Sequence, residues 1–205
     1  MTVLETRPSD AFTNDRKHVF HSWSAQGLIN PVVIAGAEGS WMWDEDGKRY
    51  LDFGAGIAVT SIGHAHPRVV RVMQEQIGTL VHTSNLYYTR PQGILAERLC
   101  RLVARPGKVF FCNSGAEANE CAIKLARYYG HKKNIDNPAV VVLEKSFHGR
   151  TLATLSATGS RKVQAGFEPL VSGFVRVPFD DLEAVRKVAA SNKNVVAILA
   201  ELVQG

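Results

Sequence analysis

The sequence predicts an α/β protein with a mostly parallel sheet flanked by helices, preceded by a small β-rich part. Three observations carry this. The runs Ala139–Leu143, Phe174–Val177 and Val195–Ala200 are rich in β-branched residues, as strands buried on both faces are. Stretches with helical spacing stand between them, the alternation that builds parallel crossovers. Ahead of residue 65 the pattern differs, with short strands, glycines and a hairpin signal. The expected division is therefore residues 1–65, an arm plus a small β-rich part, and 66–205, the first part of a larger α/β domain.

In order along the chain, residues 1 to about 17 lack periodicity and read as a loose arm. Pro31–Ala35 reads as a short strand. Trp41–Asp44 and Lys48–Leu51 flank Asp46-Gly47, a hairpin turn. Phe53–Val59 is apolar and glycine-rich, which suits close approach to a backbone or ligand. Pro67 opens a helix whose Val69, Val70, Met73 and Ile77 share one face. A second helix starts near Pro91 and is expected to bury Ile94, Leu95, Leu99 and Leu102. Val109–Cys112 reads as a strand, and Ala116–Tyr129 as a helix with Gly130 as its C-cap. Asp180 is expected to start a further helix, with Glu183 in a capping box. The Val195–Ala200 strand is followed closely by the last residue, so the sequence reads as a truncated domain.

Composition narrows the function. Hydrophobic residues make up 45% and charged residues 21% of 205, enough for a sizeable core. The net charge of +5 is dispersed, with only His131-Lys132-Lys133 as a run, so a nucleic-acid role is not expected. Cys100, Cys112 and Cys121 form no Cys-x-x-Cys pair, so neither a disulfide framework nor a metal site is expected. No apolar run reaches the roughly 18 residues of a membrane span. Met1–Asp15 lacks the apolar core of a signal peptide, and the sequence reads as cytoplasmic.

The chemistry concentrates in two loops. Phe110–Glu120 reads as strand, small-residue turn and helix start, which aims backbone N–H groups and a helix dipole at one spot suited to a phosphate. Ser114 and Glu117 also form a plain capping box, and the two readings are compatible. Glu117 and Glu120 must then turn away from a bound dianion. No P-loop or dinucleotide fingerprint is present. Lys145–Arg150 follows the strand ending at Leu143, at the same sheet edge if the strands are parallel. Phe147 there can stack on a flat ring and Arg150 can clasp a carboxylate. A core phenylalanine and a solvated arginine are the alternative.

The runs Asn113–Glu120, Lys124–Arg127 and Phe147–Leu152 together resemble the class III aminotransferases, which use pyridoxal 5′-phosphate (PLP). Gly39, Trp43-Asp44, Gly47, Tyr50, Asp52-Phe53, Gly56–Val59 and Gly63–Pro67 add to the likeness, which runs from about residue 30 onward and is greatest to the acetylornithine and succinylornithine branch. The resemblance implies a PLP-dependent fold type I and a place in arginine biosynthesis. It implies transfer of an amino group from N-acetylornithine or another ω-amino donor to 2-oxoglutarate or another 2-oxo acid, by a homodimer. Gly115 and Ala116 match the residues whose N–H groups hold the cofactor phosphate, with Ser114 assisting. Phe147 matches the ring stacked on the pyridine, and Arg150 the residue that binds the substrate carboxylate. His148 is its usual neighbour, without an assigned role. Glu201 and Gln204-Gly205 match the opening of a Glu-Pro-x-Gln-Gly-Glu segment, with Leu202 in place of Pro.

Besides Leu202, two further departures qualify the likeness. Val19–Asp44, with Phe20–Ser24, is closer to transaminases of ω-amino acids and amines. No lysine matches the family's Schiff-base position, since Lys108, Lys124 and Lys145 belong to other motifs. No catalytic residue is therefore expected within the chain, and turnover by these 205 residues alone is not expected. Three readings follow: the N-terminal portion of a transaminase, a non-catalytic fragment keeping part of the phosphate site, and a relative with aminomutase or decarboxylase chemistry.

Overall fold

A computed structural model describes residues 8–20 and 32–204. Arm residues 1–7, His21–Ser24 of the ω-amino motif, Pro31 of the first expected strand and Gly205 lie outside them. The chain divides into two compact units, Met1–Tyr88 and Thr89–Gly205. The expected boundary at 65/66 falls within the first.

The first unit opens with helix α1 (Pro8–His18), where a loose arm was expected. Charge pattern rather than an apolar stripe explains it. Asp10 lies in the first turn and Arg16, Lys17 and His18 in the last, each complementing the helix dipole. Strands β1 (Ile34–Glu38), β2 (Trp41–Asp44) and β3 (Arg49–Leu51) form an antiparallel sheet in that order. β1 runs further than the expected Pro31–Ala35, because Gly36 makes room for an indole. A Cβ on Gly36 would stand 2.5 Å from the Trp43 ring. The Asp44 carboxylate closes the hairpin, accepting from Asp46 N–H (3.1 Å), Lys48 N–H (2.8 Å) and the Tyr50 hydroxyl (2.6 Å). The Tyr50 bond, the largest influence, holds the Asp44 carboxyl below its ordinary pKa.

Asp52 organises the next turn. Its Oδ1 accepts from Gly54 and Ala55 N–H at 2.9 and 2.8 Å, and its Oδ2 lies 2.7 Å from His64 Nε2. Then α2 (Ala55–Ala58) takes positive φ at every residue, including Ala55, Ile57 and Ala58. A left-handed turn of non-glycine residues costs roughly 1–2 kcal/mol each. The expected close approach to another backbone is not seen here, since the nearest atoms to a Cβ on Gly54 or Gly56 are local side chains. The close approach lies instead at Gly63, whose added Cβ would meet the Gly39 carbonyl at 3.0 Å. Helix α3 (Pro67–Thr79) starts at Pro67 as expected, but its apolar face is open, from 38% exposure at Val70 to 63% at Ile77.

The second unit begins with α4 (Arg90–Val103). Its expected buried face is not buried: Ile94 and Leu95 are exposed, and Leu102 is 81% exposed. Val109–Cys112 is not a strand, because no described segment pairs with it, and Phe110 and Phe111 are exposed. Helix α5 (Gly115–Lys132) passes through Gly130 instead of ending there. Gly130 is a packing residue: an added Cβ would stand 2.6 Å from the Pro138 ring and 3.1 Å from Val196.

Then follow β4 (Ala139–Leu143), α6 (Leu152–Ala157), α7 (Arg161–Gln164), β5 (Phe174–Val177), α8 (Leu182–Ser191) and β6 (Val195–Leu199). The strands form a parallel sheet in the order β5-β4-β6. Central β4 is wholly apolar, and Val140 and Val142 pack with Ile123 of α5 and Ala157 of α6. The cap of α8 is Asp181, not Asp180. Its carboxylate accepts Ala184 N–H at 2.8 Å, while Asp180 takes a φ of 59° and Glu183 pairs with Arg186.

Candidate active site

The start of α5 is built by a reciprocal cap. Ser114 Oγ accepts Glu117 N–H at 3.2 Å, and the Glu117 carboxylate turns back to accept Asn113 N–H at 2.7 Å and the Ser114 hydroxyl at 3.3 Å. Glu120 is drawn the other way, accepting from the Thr151 hydroxyl and, at 3.3 Å, from Thr154 N–H. Both carboxylates are thus committed to protein donors. The first N–H groups of a helix have no intrahelical acceptor. Those of Gly115 and Ala116 have no partner among the described residues. The side of Gly115 where a Cβ would stand is open to 4 Å.

The second loop packs directly on this turn. Asn119 Nδ2 donates to the His148 carbonyl at 2.7 Å. Gly149 has a φ of 135°, and a methyl there would stand 3.0 Å from Ala116 Cβ and 2.5 Å from Thr154 Oγ1, so only glycine fits. Phe147 is 54% exposed, and the Arg150 guanidinium lies 5.8 Å from its ring centroid. The cation stands over the ring, and Phe147 still keeps more than half of its surface accessible. Glu201, just past β6, accepts Phe147 N–H at 2.9 Å. Every site residue expected from sequence, namely Ser114, Gly115, Ala116, Phe147, His148, Arg150 and Glu201, therefore lies in this unit. The turn, the loop and Glu201 are joined by these contacts at the carboxyl ends of β4 and β6. In an open parallel sheet, ligands bind at that edge.

His148 is 5% exposed, and its Nε2 is buried without a partner among the described residues. Burial pushes its pKa below the ordinary histidine value, and the Glu201 charge opposes this in part. The residues sequence reasoning missed are Asn119 on α5 and Thr158, whose hydroxyl accepts His148 N–H at 3.1 Å. Glu120, expected only to turn away from the phosphate, is a third organiser that holds Thr151 and Thr154. Asn119 and Glu120 stand on the first turns of a recognised helix, a usable signal. Thr158 carries none, since a threonine in the small-residue run Ser156–Ser160 reads as packing.

The sequence matches the family model "Aminotransferase class-III" over residues 23–205. It is 61% identical over 175 residues to acetylornithine aminotransferase of Nitrosomonas europaea, covering 85% of this chain and 44% of that protein. The ornithine aminotransferase structure from Toxoplasma gondii superposes with a TM-score of 0.87 at 30% identity, over 98% of this chain and 47% of that one. The taurine:2-oxoglutarate aminotransferase of Bifidobacterium kashiwanohense, solved in complex with PLP and glutamate, gives 0.85 at 28% identity, over 99% and 50%. The chain spans about half the length of the curated relatives it matches. The fold is the expected fold type I in part, and the chain belongs to the class III aminotransferases.

Proposed function

We propose that this chain is the N-terminal portion of a PLP-dependent transaminase that moves an amino group from N-acetylornithine or a related ω-amino donor to 2-oxoglutarate or another 2-oxo acid. The observation that carries this is the pair of N–H groups at Gly115 and Ala116 that have no partner among the described residues, in a turn packed against the Phe147–Arg150 loop. The residues fit the cofactor. Two backbone donors at a helix N-terminus suit a phosphate dianion, and the Ser114 hydroxyl can turn its proton from Glu117 to a phosphate oxygen. The half-exposed ring of Phe147 suits stacking on the pyridine ring. Arg150, exposed beside it, suits a substrate carboxylate through two parallel hydrogen bonds. The bound cofactor supplies an electron sink for the carbon that loses its proton. The protein's part here is to hold and orient. In this reading none of Lys108, Lys124 and Lys145 is catalytic, and the 205 residues alone do not turn over.

The reading places residues 1–65 in the arm and small domain and 66–205 in the large domain of a cytoplasmic homodimer. Open apolar faces on α3 and α4 support a larger assembly, and no described helix is long and apolar enough to cross a membrane. A second donor class, ω-amino acids with pyruvate as acceptor, is favoured by the character of Val19–Asp44.

The test uses the full-length protein. PLP addition is expected to give a visible absorbance band, and N-acetylornithine to be a better donor than ω-amino acids. Arg150→Ala is expected to raise the KM for carboxylate substrates about thirty-fold, the loss of a charge-assisted pair of ~2 kcal/mol. An unchanged KM removes Arg150 from the site, and absence of PLP binding removes the reading.

A further inference from the structure

We propose that Glu201 and Thr158 are positioning residues that together clamp the Phe147–His148 backbone and so set the ring that faces the ligand. The loop from Glu144 to Gly149 has no regular secondary structure, so its N–H groups need acceptors from elsewhere. Two consecutive groups find them in side chains from different elements. Phe147 N–H donates to the Glu201 carboxylate at 2.9 Å, and His148 N–H to the Thr158 hydroxyl at 3.1 Å. Glu201 follows β6 and Thr158 follows α6, so the clamp closes from two sides.

The rest of the loop is fastened as well. Ser146 Oγ donates to the Leu143 carbonyl at 2.6 Å, and Gly159 N–H to the Ser146 carbonyl at 2.8 Å. Gln204 Nε2 donates to the Glu144 carbonyl at 3.0 Å, a second link to the segment after β6. Thr158 is itself fixed, 1% exposed, with its hydroxyl 3.0 Å from the Thr154 carbonyl. A backbone held this closely beneath a half-exposed phenyl ring leaves the ring only its own torsions. Loss of the Glu201 bond frees the N–H of the very residue that carries the ring, whereas loss of the Thr158 bond acts one residue on.

The ring's task rests on the proposed PLP reading, but the clamp can be tested without the cofactor. In the cofactor-free full-length protein, amide hydrogen exchange at Phe147 is expected to be slow in the wild type and in E201Q, whose amide oxygen still accepts. It is expected to quicken about ten-fold or more in E201A, with β4 amides unchanged as the control for folding. T158V is expected to quicken His148 and T158S to restore it. With PLP added, E201A is expected to bind about ten-fold more weakly and to alter the circular dichroism of the bound cofactor, while E201Q retains both. Unchanged exchange at Phe147 in E201A overturns the clamp whether or not PLP binds. Faster exchange with unchanged affinity and dichroism overturns the positioning role. Failure of the wild type to bind PLP overturns the functional reading alone, and the exchange data still decide the clamp.

Discussion

At the scale of single residues, His148 has the least balanced surroundings in the second unit. Its buried Nε2 has no partner among the described residues, and burial holds its pKa below the ordinary value near 6.5. The unfolded chain takes up a proton at His148 as pH falls below about 6.5, while the folded one resists it. The unfolded state then binds more protons, so stability is full above that pH and is lost as pH falls through the folded-state pKa. Urea midpoints of the full-length protein are expected to drop more steeply from pH 7.5 to 5.5 in the wild type than in His148→Gln. Equal slopes would clear His148 of that role. The candidate site was legible largely because its residues are chemically conspicuous in sequence: a Ser-Gly-Ala-Glu turn and a Phe-His-Gly-Arg loop. The carboxylates were the open question: Asn113 N–H and the Ser114 hydroxyl hold Glu117 at the turn, and Thr151 holds Glu120.

At the scale of elements, α5 tests whether packing overrides propensity. Alanine at Gly130 gains about 1 kcal/mol of helix propensity. Its methyl would also stand 2.6 Å from a rigid proline ring, and overpacking costs about 1–3 kcal/mol. Packing is expected to win, so Gly130→Ala lowers the thermal midpoint; a rise would show that Pro138 gives way. The same contest explains what the sequence hid. A glycine one turn from a helix end reads as a cap, although here it is a contact surface for Pro138. The strands β4, β5 and β6 were legible because their apolar runs meet each other. Val109–Cys112 has the same character but no described partner, and a strand exists only as part of a ladder. Helix α1 was missed for the opposite reason, since end charges rather than an apolar stripe mark it.

At the scale of the whole molecule, apolar area left uncovered is the dominant fact. Met73 and Ile77 on α3, Leu102 and Val103 on α4, and Phe110, Leu125 and Tyr128 around α5 are all exposed. Patches of this kind mark surfaces that are covered in use. The 205 residues studied alone are expected to bind a hydrophobic dye such as ANS and to self-associate at micromolar concentration, read by fluorescence and light scattering. A dye-silent monomer would contradict this. The order β5-β4-β6 also bears on synthesis. β4 emerges from the ribosome first, yet its second neighbour ends only at Leu199, several seconds later at roughly 5–20 residues per second. For that interval the most water-averse stretch of the unit waits with an open flank, the natural moment for a chaperone to attend the nascent chain.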